Sequence, residues 1–215
     1  APTRTPVLEP ANARRDLAVA IAAFDEARAQ AVLDTLLAVA TVDTAIGDVV
    51  VPYLHDLGAR WERGDSSVAE EHFASGLLRG RMLGLARGWG RGVGPQIVLA
   101  CAPGEQHDLG LIAFGLVLRA RGWRIVYLGA DTPVASVAEA ARASQPAFAV
   151  VSAVTGDRLR AVENELRELS QAHRLCLGGA GAAEAELDLD ALRLARGPVE
   201  EAETLTALVA PPGAR

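Results

Sequence analysis

The sequence of 215 residues contains little cysteine, few aromatic residues and no long apolar run. Two cysteines cannot build a disulfide scaffold. No apolar run approaches the roughly 20 residues that span a bilayer, and the first 17 residues lack the apolar core of a signal peptide. These absences predict a cytoplasmic protein without a membrane anchor.

Basic residues are also in the minority, since the net charge is −6. Arginine supplies the positive charge without any run of five or six like charges. A protein that binds a nucleic-acid backbone needs a cluster of basic residues that displaces counterions. Direct nucleic-acid binding by this chain is therefore not expected.

Half of the residues are hydrophobic, which is enough for one large domain or two small ones. Three prolines in the first ten residues predict a disordered arm over residues 1–11. Apolar residues then recur at helical spacing, which predicts four helices packed as a bundle within residues 12–90. Turn signals separate the helices at 25–26, 43–47 and 63–65, and Ser66 or Ser67 is the predicted N-cap of the fourth helix.

Beyond the glycine-rich segment 88–96, short β-branched runs alternate with amphipathic stretches. The runs predict strands at 97–101, 124–128, 147–151, 175–177 and 192–194, and the stretches predict helices at 109–120, 134–143 and 158–171. This alternation is typical of a Rossmann-like (flavodoxin-like) parallel sheet covered by helices, here over residues 95–210. The predicted fold is therefore an N-terminal four-helix bundle followed by an α/β domain. Ligands of such domains bind beyond the carboxyl ends of the strands.

The loop after the first predicted strand places His107 between acidic neighbours. A neutral imidazole can bind a transition metal through one nitrogen, while a carboxylate holds the other and fixes the tautomer. Glu105 is the obvious carboxylate. On its own, the Glu105-x-His107-x-x-Gly110 pattern also fits an exposed loop histidine beside solvated acids.

The wider pattern resembles the cobalamin-binding domain signature. Glu105-x-His107-x-x-Gly110 is followed by Ser152-x-Val154 after the third strand and by Gly178-Gly179 after the fourth. The family usually has Asp and Ser-x-Leu where this chain has Glu105 and Ser152-x-Val154.

The resemblance implies that His107 is the lower axial ligand of cobalt and that Glu105 orients it. Ser152 would extend the hydrogen-bond relay, and Gly178 and Gly179 would admit the nucleotide tail. The cofactor-binding set predicted in this domain is completed by neighbouring loop residues: Gln106, Asp108, Gly110 and Val154.

The helical half resembles the cap that precedes this domain in methionine synthase, in corrinoid carrier proteins and in CarH-type photoreceptors. Trp61, followed after nine residues by Glu71-His72, matches the motif with which CarH-type proteins cover the upper face of adenosylcobalamin. The segments 50–61, 66–75, 127–133 and 177–182 also resemble that family. Separately, Trp61 fits a core residue, and Glu71 and His72 fit a solvated helix start.

Glu62 occupies the position where CarH-type proteins carry a second cobalt-capturing histidine, and this chain shows no helix-turn-helix segment before the bundle. Both departures are compatible with photocobilins, which hold biliverdin beside cobalamin. The candidate partners for biliverdin propionates are arginines near the cap: Arg60, Arg63, Arg79 and Arg81. Cys101 and Cys176 are interpreted as small core residues rather than attachment sites.

The resemblance implies a photoreceptor, not an enzyme, that binds adenosylcobalamin, with biliverdin as a candidate second chromophore. Its output would be light-dependent association, as a homo-oligomer or with a signalling partner protein. A corrinoid carrier for methyl transfer is the principal alternative, and the motif of Trp61 with Glu71-His72 discriminates between the two. A flavodoxin-like module without cobalt is the third interpretation.

Overall fold

The computed structural model describes residues 9–209 and divides into two compact units between Met82 and Leu83. The first unit is helical and the second contains a parallel β-sheet. This confirms the predicted fold class, a helical N-terminal region followed by a parallel-sheet α/β domain. Most of the predicted disordered arm, residues 1–8, lies outside the described residues, as does the last residue of the predicted 95–210 domain.

The helical elements are α1 (Pro10–Ala22), α2 (Glu26–Val39), a π-helical segment (Thr44–Val50) that continues into α3 (Val51–Glu62), and α4 (Val68–Leu85). The first helix begins at Pro10, two residues before the predicted start, because proline fits the first turn of a helix. Ser67 Oγ accepts a hydrogen bond from the Glu70 backbone N–H at 3.0 Å, so Ser67 caps α4 as predicted.

The turn predicted at 43–47 is wrong, because the chain there is helical. The Thr44 backbone N–H donates to Thr41 Oγ1 at 3.1 Å, so the break between helices lies at Ala40 and Thr41. Ile46 is buried on the π-helical segment. Its burial with its apolar neighbours outweighs the local turn preference of Asp43 and Gly47.

The α/β unit contains five strands: β1 (Gln96–Cys101), β2 (Arg124–Gly129), β3 (Phe148–Ser152), β4 (Leu175–Gly178) and β5 (Ala191–Leu194). Its helices are α5 (Leu109–Ala120), α6 (Val134–Ser144), α7 (Gly156–Arg160), α8 (Glu163–Ala172), α9 (Gly181–Glu184) and α10 (Pro198–Val209). The single helix predicted over 158–171 is thus two helices. Buried Leu159 and Leu166 are seven residues apart and keep a helical period across the break, so the sequence pattern does not reveal it.

All strands are parallel, in the order β2-β1-β3-β4-β5. The strand order therefore reverses direction between β1 and β3, and a crevice for ligands forms at such a point. Cys101 is paired with Ser152, and Ser152 is paired with Gly178. The loops that follow β1, β3 and β4 consequently start at the same level of the sheet.

Among residues 9–209, no helix combines the length and apolarity that a membrane crossing requires.

Candidate functional site

The β1–α5 loop is organised around the fully buried carboxylate of Glu105. Oε1 accepts hydrogen bonds from the His107 backbone N–H at 2.9 Å and from His107 Nδ1 at 2.6 Å. Oε2 accepts from the Val154 backbone N–H at 2.9 Å and lies 3.3 Å from Arg158 Nε. Glu105 thereby ties together the loops after β1 and β3.

These contacts also determine the ionisation of Glu105. Burial alone would raise its pKa, but the hydrogen bonds from Val154 N–H and His107 N–H, together with the His107 ring, outweigh burial and hold the pKa below its usual value. The group is therefore a carboxylate near neutral pH and acts only as an acceptor.

The His107 side chain is 71% exposed although its carboxylate partner is buried. Because an ionised carboxylate accepts from Nδ1, the proton of a neutral ring lies on Nδ1 and the Nε2 lone pair is free. A carboxylate–histidine pair of this kind is what orients imidazole ligands of metal ions. No group of three or more His, Cys, Asp or Glu side chains within residues 9–209 could hold a bare metal ion.

The other predicted residues of this loop divide between burial and exposure. Asp108 is buried, and its Oδ2 accepts a hydrogen bond from the Tyr127 hydroxyl at 2.7 Å. Gln106 is exposed. A Cβ added at Gly110 would have open space around it, so the first turn of α5 leaves room beside His107. Within this loop Asp108 is therefore buried, whereas Gln106 and Gly110 are accessible.

Ser152, Gly178 and Gly179 lie together at the ends of β3 and β4. A Cβ added at Gly178 would lie 3.6 Å from Ser152 Cβ, an ordinary contact. Gly179 has φ +79°, and a Cβ there would lie 2.4 Å from the Ala153 carbonyl oxygen. The two glycines thus differ, because Gly179 is required for a close backbone approach and Gly178 is not. Within the described residues, Ser152 is not among the hydrogen-bond partners of Glu105.

Arg158, on the short helix α7 that follows β3, is a residue of the site that was not predicted from the sequence. Besides its ion pair with Glu105, its Nη1 donates to the Gly104 carbonyl oxygen. On the other side of the loop, the Gly104 backbone N–H donates to Asp131 Oδ1 at 2.6 Å, and the Asp131 N–H donates to the Glu105 carbonyl at 2.8 Å. Nothing in the local sequence distinguishes Arg158 from other helix-surface arginines, since its role depends on a contact 53 residues away.

The helical unit holds a second Glu–His pair. Glu71 Oε2 lies 2.7 Å from His72 Nδ1, and the His72 side chain is 74% exposed. Trp61, at the end of α3, is 52% exposed, which rules out the core interpretation of this residue. Glu62 is exposed as well. The helical unit therefore presents an indole and an oriented imidazole to its surroundings.

Comparison with known proteins identifies the cofactor. Residues 95–208 match the B12 binding domain family, and residues 13–83 match a second family model with the same description. The chain belongs to the B12-binding domain family. It is a cobalamin-binding protein with a helical cap and a Rossmann-like domain.

Two curated relatives are transcriptional repressors of the helix-turn-helix type from Myxococcus xanthus. The chain is 36% identical to CarH over 159 residues, which are 74% of the chain and 53% of CarH. It is 35% identical to CarA over 160 residues, which are 71% of the chain and 53% of CarA. The chain thus spans about half the length of these relatives. Among solved structures, the monomethylamine corrinoid protein of Methanosarcina barkeri has 18% identity and a TM-score of 0.72, covering 94% of this chain and 100% of that one, which shows a shared fold.

Proposed function

We propose that this B12-binding protein is a light sensor that holds adenosylcobalamin and signals through a change in protein association. When bound, adenosylcobalamin would supply a cobalt–carbon bond that light can break. The residues of the chain would hold, orient and cover this cofactor. The proposal extends the resemblance to CarH-type photoreceptors and the similarity to CarH and CarA.

In the α/β unit, His107 would be the lower axial ligand. The donor set fits the group, because a corrin ring already supplies nitrogen donors to its cobalt and a single imidazole suffices. Buried Glu105 would keep Nε2 in its metal-binding tautomer. Gln106, Gly110 and Val154 are exposed around the loop and would contact the cofactor, while Ser152, Gly178 and Gly179 would border its nucleotide tail.

The observation that carries the sensor proposal is the exposure of Trp61 in the helical unit. A large indole is normally buried in the core, and one that is 52% exposed commonly marks a contact surface. Its position relative to Glu71 and His72 matches the CarH-type motif for the upper face of adenosylcobalamin. A corrinoid carrier for methyl transfer shares the Glu105–His107 pair but must leave that face open to partner proteins.

Glu62 gives the proposed sensor a different light state from that of CarH-type proteins. An exposed carboxylate follows Trp61 where those proteins have a histidine. A solvated carboxylate is a poorer cobalt ligand than an imidazole. The light state of this protein should therefore lack a bond from residue 62 and revert more readily in the dark.

The decisive experiment compares the protein loaded with adenosylcobalamin in the dark and after illumination, by absorption spectroscopy and size-exclusion chromatography. We expect photolysis together with a change in association state, as homo-oligomer or with a partner protein. The Trp61→Ala variant should bind cobalamin but lose the coupling between photolysis and association. Complete photolysis with an unchanged elution volume would contradict the sensor proposal and favour the carrier.

The proposal includes biliverdin as a second chromophore, which rests on the resemblance to photocobilins. Arg60 and Arg63 line one groove of the helical unit, and Arg81 is not among its lining residues. All three form ion pairs, Arg60 with Glu70 at 3.0 Å, Arg63 with Asp65 at 2.9 Å and Arg81 with Asp34. Incubation with biliverdin should give a new long-wavelength absorption band that Arg60→Gln weakens and Arg81→Gln does not. If no band develops, biliverdin is not a ligand, and the cobalamin sensor proposal is unaffected.

A further inference from the structure

A groove of about 500 Å³ runs along the helical unit between α1 and α3. Residues 11, 14, 15 and 18 form one face of α1, and residues 53, 56 and 60 form one face of α3, as helical spacing requires. Residue 63 follows directly after α3. The groove is lined chiefly by one acid, four bases and a phenol: Asp56, Arg14, Arg15, Arg60, Arg63 and Tyr53. None of these residues belongs to the predicted cobalamin site.

Tyr53 is the first sign that the groove is a binding site. The residue is only 3% exposed, and among residues 9–209 its hydroxyl has no hydrogen-bond partner. A buried hydroxyl without a partner costs free energy, so such groups normally find an acceptor. Burial raises the pKa of Tyr53 to about 12, against a smaller lowering by Arg60. The hydroxyl therefore remains protonated and can donate.

The arginines supply the second sign. Arg14 is half-buried and forms no ion pair with a carboxylate within the described residues. Arg15 and Arg63 form exposed ion pairs with acids close to them in sequence, at 3.8 Å and 2.9 Å. Exposed ion pairs are weak, so these guanidinium groups can also bind another anion. The planar guanidinium group of arginine can donate two parallel hydrogen bonds to the oxygens of a carboxylate or phosphate.

We propose that the groove between α1 and α3 binds a small organic anion through a carboxylate or phosphate group, which accepts hydrogen bonds from Tyr53 and Arg14. The volume is in the range of small-molecule sites and exceeds that of an inorganic ion. Alanines 11, 18 and 59 line the same groove and leave room for the carbon skeleton. The groove shares Arg60 and Arg63 with the candidate biliverdin partners, but the inference requires neither biliverdin nor cobalamin.

The test titrates the 215-residue protein with glutarate and, separately, with inorganic phosphate at constant ionic strength. Binding is followed by NMR of the arginine side chains and the tyrosine rings. We expect saturable shifts at Arg14 and Tyr53, with glutarate favoured if the groove selects carboxylates and phosphate favoured if it selects phosphate esters. Arg14→Gln should weaken binding at least about tenfold, as expected for a lost charge-assisted hydrogen bond.

Two variants distinguish a site from general charge effects. Arg28→Gln removes the same charge from an exposed position of α2 and should bind both anions like the wild type. Tyr53→Phe should fold with unchanged or higher thermal stability, because the lost hydroxyl has no partner, but should bind the anion more weakly. Absence of saturable shifts with both anions, or equal losses in Arg14→Gln and Arg28→Gln, would overturn the proposal.

Discussion

Replacing Glu105 with glutamine should separate the stability of the β1–α5 loop from its affinity for cobalamin. The carboxylate accepts from His107 through Oε1 and from Val154 N–H through Oε2, with Arg158 also beside Oε2. A glutamine in either orientation points its NH₂ group at one of these sets of donors. At least one buried donor must then lose its acceptor.

The expected cost follows from these contacts. A buried N–H without an acceptor costs about 1–3 kcal/mol, and the partly exposed Arg158 loses a pair worth about 0–1 kcal/mol. We therefore expect Glu105→Gln to lower the free energy of unfolding of the cobalamin-free protein by about 1–4 kcal/mol. His107→Ala should cost less than about 1 kcal/mol, because it removes a largely exposed side chain and leaves the backbone donors in place.

For cobalamin affinity, we expect His107→Ala to have the larger effect and Glu105→Gln the smaller one. His107→Ala removes the proposed metal ligand, and we expect a loss of more than about 100-fold in affinity together with a changed visible spectrum. Glu105→Gln keeps the ligand but loosens its orientation, which typically weakens metal sites by about 10- to 100-fold. Urea denaturation of the cobalamin-free variants and spectroscopic titration with cobalamin measure the two quantities separately.

Two controls isolate these effects: Glu168→Gln, at an exposed position of α8, and His173→Ala, outside the loop. Both should resemble the wild type in stability and in affinity. If His107→Ala bound cobalamin with wild-type affinity, the ligand assignment would be refuted. If Glu105→Gln were as stable as the wild type, the buried network around Glu105 would not stabilise the loop.

Further predictions concern a glycine pair, the buried carboxylate of Glu201 and the residue after Trp61. Gly179→Ala should destabilise the protein by about 2–4 kcal/mol through its positive φ and the clash with the Ala153 carbonyl, whereas Gly178→Ala should leave thermal stability nearly unchanged and weaken cobalamin binding. Burial alone would raise the pKa of Glu201, but hydrogen bonds from Arg196 lower it. Glu201→Gln should therefore lower the free energy of unfolding by about 1–3 kcal/mol near neutral pH. Urea denaturation should show this difference between variant and wild type shrinking only as pH falls below about 4.5 through the lowered folded-state pKa of Glu201. Glu62→His should lengthen the lifetime of the light state and give a two-histidine spectrum, and a wild type that already shows that spectrum would mean that another histidine moves into place.

The α/β domain could be predicted from the sequence because its signals are local. Each strand is a short apolar run, and parallel order places the loops after β1, β3 and β4 at one edge of the sheet. The Glu105–His107 pairing was predictable for the same reason, since the two residues are two positions apart. The spacing alone did not show which metal or cofactor the pair binds, and the resemblance to cobalamin-binding domains indicated cobalt.

The features that sequence reasoning missed depend on distant contacts. Arg158 reaches Glu105 only because α7 begins next to the β1–α5 loop. Phe24 continues the helical spacing of Leu17 and Ile21, but it lies beyond the end of α1 with φ 54°. It is half exposed and contacts Phe73, with 5.4 Å between the ring centroids. In both cases the deciding neighbour is roughly 50 residues away in sequence, beyond the reach of periodicity.

The contrast between buried Glu105 and exposed His107 has a consequence for how the cofactor binds. Because the carboxylate is already held by backbone N–H groups of two loops, the chain fixes the orientation of the imidazole without help from a metal. Little ordering entropy then remains to be lost when cobalamin binds, and this pre-organisation favours affinity. The same network makes the loop part of the folded core of the α/β unit. Mutations in Glu105 should therefore affect folding and binding together, whereas those in His107 should affect binding almost alone.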